Sequence, residues 1–437
     1  YQTALTISSR TMTIQVNTSS LVDCASHRFS SRSVSWSASG NCLGLACGDR
    51  IARIVALVPQ PQQHQHNNNN NGGNSLDGVR ELLTLQGHGG PVSALRFHPQ
   101  EESTVLTGCQ GDQSIRLWDC RQQKATLTAN FLADTVGDCM EWHPTLAHLI
   151  AVVNRQGHVH VYDRRKLTSN NNTTTTTTAK QQQQQRTVPV HTLNAAPLMV
   201  DRCVFGPSQH HNQKKGVNGG DYLIGGVAVD GQGMSDVAIW NWNHKEEEQS
   251  NTMDIDNTSM TKPLHNNNNK NHSQHRIRRY PAHAAPISAL ALSPNGRRLA
   301  TGGADALVSL WDANTMIPTH TLMGGDGSNA NSQPQQPQHK QWIRSVAFSH
   351  DGAIVASSDE HVTTLADATT GVPLGTVDWN HHSKDNTTTD NNNNDTTTTT
   401  FGSGGRGRAC SNGAEQLAWH PKAHWLACAR SMPPGSA

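Results

Sequence analysis

The sequence predicts an all-β fold, a single seven-bladed β-propeller domain over residues 1–437, interrupted by long low-complexity insertions. Three observations predict it. One strand pattern recurs seven times along the chain. The length that remains once the polar tracts are set aside suits seven small sheets. Two of the repeats carry a matched His, Thr, Asp and Trp set at equivalent places.

The recurring pattern is a short apolar alternation, closing on a large apolar residue and followed by His-Pro, Ser-Pro or Asp-Gly chemistry. Its copies are Ser33–Trp36, Ala94–Phe97, Cys139–Trp142, Cys203–Phe205, Ala289–Leu292, Ser345–Phe348 and Gln416–Trp419. A second apolar run follows each copy, as at Thr104–Thr107 and Arg298–Thr301. A third strand then closes on an aromatic and an acidic residue. Ser114–Asp119 and Leu307–Asp312 end in Trp-Asp, while Val159–Asp163 and Ala238–Asn241 are variants. The first and sixth repeats have Val55 and Ala366 where the Trp is expected.

Five segments read as disordered surface insertions: 60–78, 168–188, 244–279, 324–340 and 378–413. Runs of Asn, Gln, Thr and His offer too little apolar surface to offset the entropy of ordering them. They take up about 130 residues, and the roughly 300 left match seven repeats of ~40–45.

Two repeats carry a complete internal polar set: His88, Thr107, Asp112 and Trp118 in one, His283, Thr301, Asp305 and Trp311 in the other. A carboxylate facing an imidazole, which in turn meets a hydroxyl beside an indole, satisfies groups that are costly to bury alone. The sets are therefore read as structural. The competing reading, a catalytic His–Asp pair, has no nucleophile beside it and would have to repeat at blade spacing. The other repeats are expected to have lost the set.

The last repeat shows two strands, Gln416–Trp419 and Trp425–Ala429, and then the chain ends. The expectation is a last blade one strand short in a truncated chain, with Thr11–Val16 as the candidate to fill the gap from the other end.

A net charge of +1 over 437 residues points to no overall nucleic-acid surface. No apolar run approaches the roughly 18 residues of a membrane span. Nine cysteines without a Cys-x-x-Cys pair argue for free thiols and against a zinc ribbon. No phosphate-binding loop, zinc-protease helix or nucleophile elbow occurs. The expectation is no enzyme, cofactor, metal or small-molecule substrate. Basic spots at 402–408 and at Arg276, Arg278 and Arg279 suggest at most a weak or indirect RNA contact.

From Ala300 to Asp312, then Val346–Gly352, Ser358–His361, Ala366-Asp367, Thr370-Gly371 and Leu417–Lys422, the sequence resembles the THO complex subunit 3 family of WD40-repeat proteins. The order of intact and degenerate repeats is similar too, and the Asn/Thr/Gln insertions depart from compact members. The resemblance implies a WD40 propeller that is a non-catalytic scaffold subunit of the nuclear THO/TREX assembly. Its partners would be the other THO/TREX subunits, and its role to couple transcription to mRNA packaging and export. An alternative rests on Trp118-Asp119-Cys120-Arg121, which matches the W-D-x-R ending of substrate receptors of cullin-4 ubiquitin ligases. In that reading Trp118, Asp119 and Arg121 bind the ligase adaptor.

Overall fold

The computed structural model describes residues 2–7, 14–22, 30–57, 79–121, 125–132, 135–154, 156–168, 188–193, 199–206, 222–228, 233–241, 277–324, 336–337, 339–378 and 414–430. The five predicted insertions lie largely outside the described residues.

Strands β1 (Gln2–Ile7) and β2 (Ile14–Val22) precede the first blade. Blade 1 is β3 (Ser31–Trp36), β4 (Cys42–Cys47), β5 (Ala52–Leu57) and β6 (Val79–Leu85). Blade 2 is β7 (Val92–Phe97), β8 (Thr104–Cys109), β9 (Ser114–Asp119) and β10 (Thr126–Leu132). Blade 3 is β11 (Thr135–Trp142), β12 (Leu149–Asn154), β13 (Val159–Asp163) and β14 (His191–Leu193), with the short helix α1 (Arg164–Thr168) after β13. Blade 4 is β15 (Met199–Phe205), β16 (Tyr222–Ala228), β17 (Ser235–Asn241) and β18 (Ile277–His283). Blade 5 is β19 (Ile287–Leu292), β20 (Arg298–Gly303), β21 (Val308–Asp312) and β22 (Ile317–Thr321). A two-stranded ribbon, β23 (Met323–Gly324) with β24 (Gln336–Pro337), leads to blade 6, formed by β25 (Ser345–Phe348), β26 (Ile354–Ser358), β27 (Val362–Asp367) and β28 (Pro373–Asp378). β29 (Ala414–Trp419) and β30 (Trp425–Arg430) end the described chain.

Six sheets are thus built from four consecutive antiparallel strands, and a further four-stranded sheet, blade 7, joins both ends of the chain in the order β2-β1-β30-β29. Here the structure corrects two expectations. The strand beside β30 is β1, with Gln2, Thr3 and Ala4 opposite Ala427, Leu426 and Trp425. The 11–16 segment overlaps β2, which pairs on the far side of β1. The last sheet is therefore not short of a strand. Its third and fourth strands come from the opposite terminus, which sequence-local reading does not see.

The apolar cores sit between blades rather than within them. Leu95, Phe97 and Trp118 of blade 2 cluster with Ile54 and Leu85 of blade 1. Trp311 and Leu299 of blade 5 cluster with Ile224 and Val237 of blade 4. Because each sheet is covered on both faces, the second strands are buried almost throughout rather than on alternate residues; all six residues of β12 are buried. Burying one Leu or Phe contributes about 1.5–3 kcal/mol, so these seams carry most of the cohesion.

Directional bonds then fix how neighbours register. The aromatic that closes an inner strand donates its indole N–H to the blade before: Trp36 Nε1 to the Ala418 carbonyl at 3.0 Å, Trp419 Nε1 to that of Ala347 at 3.1 Å. The histidine of His-Pro reaches the blade after. His98 Nε2 is 2.8 Å from the Ala147 carbonyl and its ring packs edge-on against Trp142 at 4.8 Å. His420 repeats this across the closing seam, 3.2 Å from the Gly40 carbonyl and 4.8 Å from the Trp36 ring. Gly40 has φ +85°, and a Cβ there would lie 2.0 Å from His420 Nε2, so only glycine fits. Inner-strand N–H groups are capped by side chains of the previous blade: Leu95 by Ser33 Oγ at 3.2 Å, Leu417 by Ser345 Oγ at 3.0 Å, Val34 by Gln416 Oε1 at 3.0 Å. Each is worth about 1 kcal/mol, less than the apolar seam but specific in direction.

Candidate functional site

The polar sets of blades 2 and 5 form continuous chains. Trp118 Nε1 donates to Thr107 Oγ1 at 2.8 Å, Thr107 Oγ1 is 2.8 Å from His88 Nε2, and His88 Nδ1 faces Asp112 Oδ2 at 3.4 Å and Ser114 Oγ at 3.1 Å. In blade 5, Trp311 Nε1 meets Thr301 Oγ1 at 3.0 Å, His283 Nε2 meets it at 2.8 Å, and His283 Nδ1 lies 3.1 Å from both Asp305 oxygens. An ionised carboxylate can only accept, so the proton of the neutral His88 ring sits on Nδ1, towards Asp112, and Nε2 accepts from the Thr107 hydroxyl. Burial, reinforced by the Arg116 charge, pushes His88 down to about 4, so the ring is neutral near pH 7. Burial alone would raise Asp112, but the N–H groups of Gly89 and Ser114 and the Ser114 hydroxyl hold it at about 2. Thr107 and Thr301 are fully buried, out of reach of any substrate. Gly303 belongs to the same design: a Cβ there would lie 2.3 Å from Asp305 Oδ1 and 2.5 Å from His283 Nδ1.

Blade 6 holds a third chain, although its sequence reads as having lost the set and puts His339 inside the 324–340 insertion. His339 is buried, with Nε2 2.8 Å from Ser357 Oγ and Nδ1 3.2 Å from Asp359 Oδ2. Thr364 Oγ1, 2.8 Å from Ser357 Oγ and 3.1 Å from His339 Nε2, takes up the hydroxyl valence that an indole satisfies elsewhere. The usable signal was spacing: His339 precedes Ser357 by 18 residues, as His283 precedes Thr301.

The inner strands enclose a central channel of about 550 Å³. Its lining includes Arg32, Arg96, Arg202 and Arg344 against a single carboxylate, Glu141. Arg96 Nε bonds Glu141 at 3.1 Å, and Arg202 Nε donates to the Ser288 carbonyl at 2.9 Å. Arg32 and Arg344 are exposed where β3 and β25 enter the channel, and Trp342 lies two residues before Arg344, 65% exposed. The sequence signal was an arginine in or beside otherwise small and apolar inner strands, one each in β3, β7, β15 and just before β25.

At the ends of the third strands, the structure does not gather Trp118, Asp119 and Arg121 into one surface. Trp118 is buried in its polar chain, while the exposed Arg121 clamps back on Asp119, Nε to Oδ2 at 2.8 Å. Arg165 repeats the clamp on Asp163 in the next blade, Nε to Oδ1 at 3.0 Å. Of the basic spot near β18, Arg278 is exposed and Arg279 pairs with Asp236 at 2.6 Å. Ile277–Arg279, expected in an insertion, are strand residues. Residues 402–408 lie outside the described residues. No helix among the described residues is long and apolar enough to cross a membrane.

Closed ring, inter-blade cores and His–Asp chains define a WD40-repeat β-propeller. The family of the WD domain, G-beta repeat, matches residues 79–119, 274–312 and 332–363, the stretches that contain or border the three histidine chains. Over most of its length the protein is similar to THO complex subunit 3 of Arabidopsis thaliana, 24% identical over 364 residues, covering 81% of this chain and 84% of that one. The periodic tryptophan protein 1 homolog of Drosophila melanogaster is 33% identical over 92 residues, 21% of this chain and 20% of its own. The WD repeat-containing protein AAC3 of Dictyostelium discoideum is 23% identical over 303 residues, 69% of this chain and 50% of its own.

Proposed function

We propose that this propeller is a non-catalytic scaffold subunit of a nuclear THO-type complex, acting with other THO/TREX subunits where transcription is coupled to mRNA packaging and export. One observation carries the reading: the similarity to a THO complex subunit covers 81% of this chain and 84% of that one rather than being confined to a few repeats. The polar chains are buried and serve the blades, which leaves binding to the surfaces. The arginine-lined channel mouth, with the exposed Trp342 two residues before Arg344 in the chain, offers the guanidinium and aromatic character of protein-docking hot spots and suits an acidic segment of a partner. RNA contact, where it occurs, is weak and runs through 402–408; filter binding should lose affinity when 401–408 is removed.

The deciding experiment is affinity purification of the tagged full chain with mass spectrometry. Recovery of the large helical THO subunits is expected, reduced when Arg32 and Arg344 are both changed to Glu. Recovery of none of them overturns the reading.

A second reading, receptor of a cullin-4 ligase, draws on the repeated exposed clamps Asp119–Arg121 and Asp163–Arg165. It predicts binding to the ligase adaptor that disappears in Arg121→Ala.

A further inference from the structure

The turns joining the first and second strands of blades 6 and 7 meet side by side. His350 and Asp351 come from the β25–β26 turn, His424 from the β29–β30 turn. A nitrogen of each ring and a carboxylate oxygen all lie within 4.8 Å of one another. The two rings are 4.6 Å apart, tilted by 59°, and His424 Nε2 is 3.4 Å from Asp351 Oδ2.

These side chains have unspent capacity. The Nδ1 atoms of His350 and His424 are both shielded from solvent and have no hydrogen-bond partner, a costly state for a ring nitrogen. Asp351 divides its work. Its Oδ1 accepts from Ser349 Oγ at 2.6 Å and from the Ala353 N–H at 3.0 Å, which fixes the turn and leaves Oδ2 directed at His424. The other His/carboxylate cluster among the described residues, His88 with Cys109 and Asp112, offers no such capacity, because its imidazole is already committed to Thr107, Ser114 and Asp112.

We propose that His350, Asp351 and His424 form a zinc(II) site bridging blades 6 and 7. Two imidazoles and one carboxylate are the donor set that zinc accepts, with a water completing the tetrahedron. Bonds of about 2.0–2.2 Å require the donors to close to roughly 3.3 Å, a small adjustment for side chains in partly exposed turns. The site joins two blades beside the seam where the chain ends meet, so zinc binds the folded ring and not the unfolded chain, and stabilises it.

The test is zinc(II) titration of the full chain by calorimetry, paired with thermal unfolding. The histidines of the Asn-rich tracts are controlled by a His381→Ala/His382→Ala variant. One saturable equivalent and a raised thermal midpoint are expected in the wild type and in that control, and both are lost in His350→Ala/His424→Ala. Asp351→Asn keeps an oxygen for Ser349 and Ala353 but removes the ligand oxygen; it should weaken zinc roughly tenfold or more while folding normally by circular dichroism. Unchanged stoichiometry and affinity in these variants, or loss of the equivalent only in the His381/His382 control, overturns the proposal.

Discussion

Blades 5 and 6 are neighbours that solve the same burial problem differently. Blade 5 runs from Asp305 through His283 and Thr301 to the indole of Trp311, which also fills the core shared with blade 4. Blade 6 keeps the carboxylate and imidazole but has Ala366 opposite Val355, where Trp311 stands opposite Leu299. Thr364, directly across from Ser357, closes the chain from the next position on the same face. What persists is the acid that anchors the turn and the imidazole it holds. The residue that ends the chain is exchangeable, provided that the hydroxyl keeps a polar neighbour and the neighbouring core keeps its volume.

The largest expected effect tests the volume half of that statement. Trp311→Ala removes both an indole donor and a large core side chain, and should cost about 3–5 kcal/mol in urea unfolding. The converse, Ala366→Trp, forces an indole into a site already closed around Val355 and Phe348 and should cost about 1–3 kcal/mol. A stabilising Ala366→Trp would break the comparison, since blade 6 would then be a blade 5 with its keystone missing.

Next comes the shared half. Asp305 accepts from the backbone of Ala284 and Leu307, Asp359 from that of Lys340, His361 and Val362, and each faces an imidazole. Asp305→Ala and Asp359→Ala should each cost about 2–3 kcal/mol, the same within error, although only one blade has the Trp. Acid should expose two windows. Burial opposes ionisation of Asp359, but its bonds from His339 and from the N–H groups of His361 and Val362 prevail and hold it at about 2. With its folded value depressed, its stabilisation is complete above about pH 4 and lost as pH falls towards 2. His88, depressed from 6.5 to about 4, takes its proton in the unfolded chain first. Stability should therefore already decline between pH 6.5 and 4, by on the order of 3 kcal/mol from this group. His88→Asn, which cannot titrate, should flatten that upper part of the pH profile; an unchanged slope would place the acid sensitivity elsewhere.

The sequence made some of this legible and hid the rest for physical reasons. The seven inner strands announce themselves because a turn must follow each, and His98-Pro99, His143-Pro144 and His420-Pro421 are turn chemistry as well as seam contacts. Trp118 and Trp311 stand beside acids in a conspicuous dipeptide. His339 was concealed because its neighbours, Gln and Pro, have the composition of a disordered tract, while its own role is set by partners 18 and 20 residues on. The pairing of β1 with β30 was hidden for a related reason: strand partners at opposite termini leave no local trace. The channel arginines were missed because each is a single residue in its strand, and only ring closure collects them.

The smallest expected effect is also the most discriminating. Thr364→Val keeps shape and burial but deletes the hydroxyl that stands in for the indole. Ser357 Oγ and His339 Nε2 would still have each other at 2.8 Å, so no group is left wholly unpaired and the cost should be about 1 kcal/mol. Adding Asp359→Ala to Thr364→Val should cost less or more than the sum of the two, because both act on His339 from opposite ring nitrogens. A strictly additive pair, measured by urea unfolding, would mean that blade 6 holds two separate hydrogen bonds rather than a chain like that of blade 5.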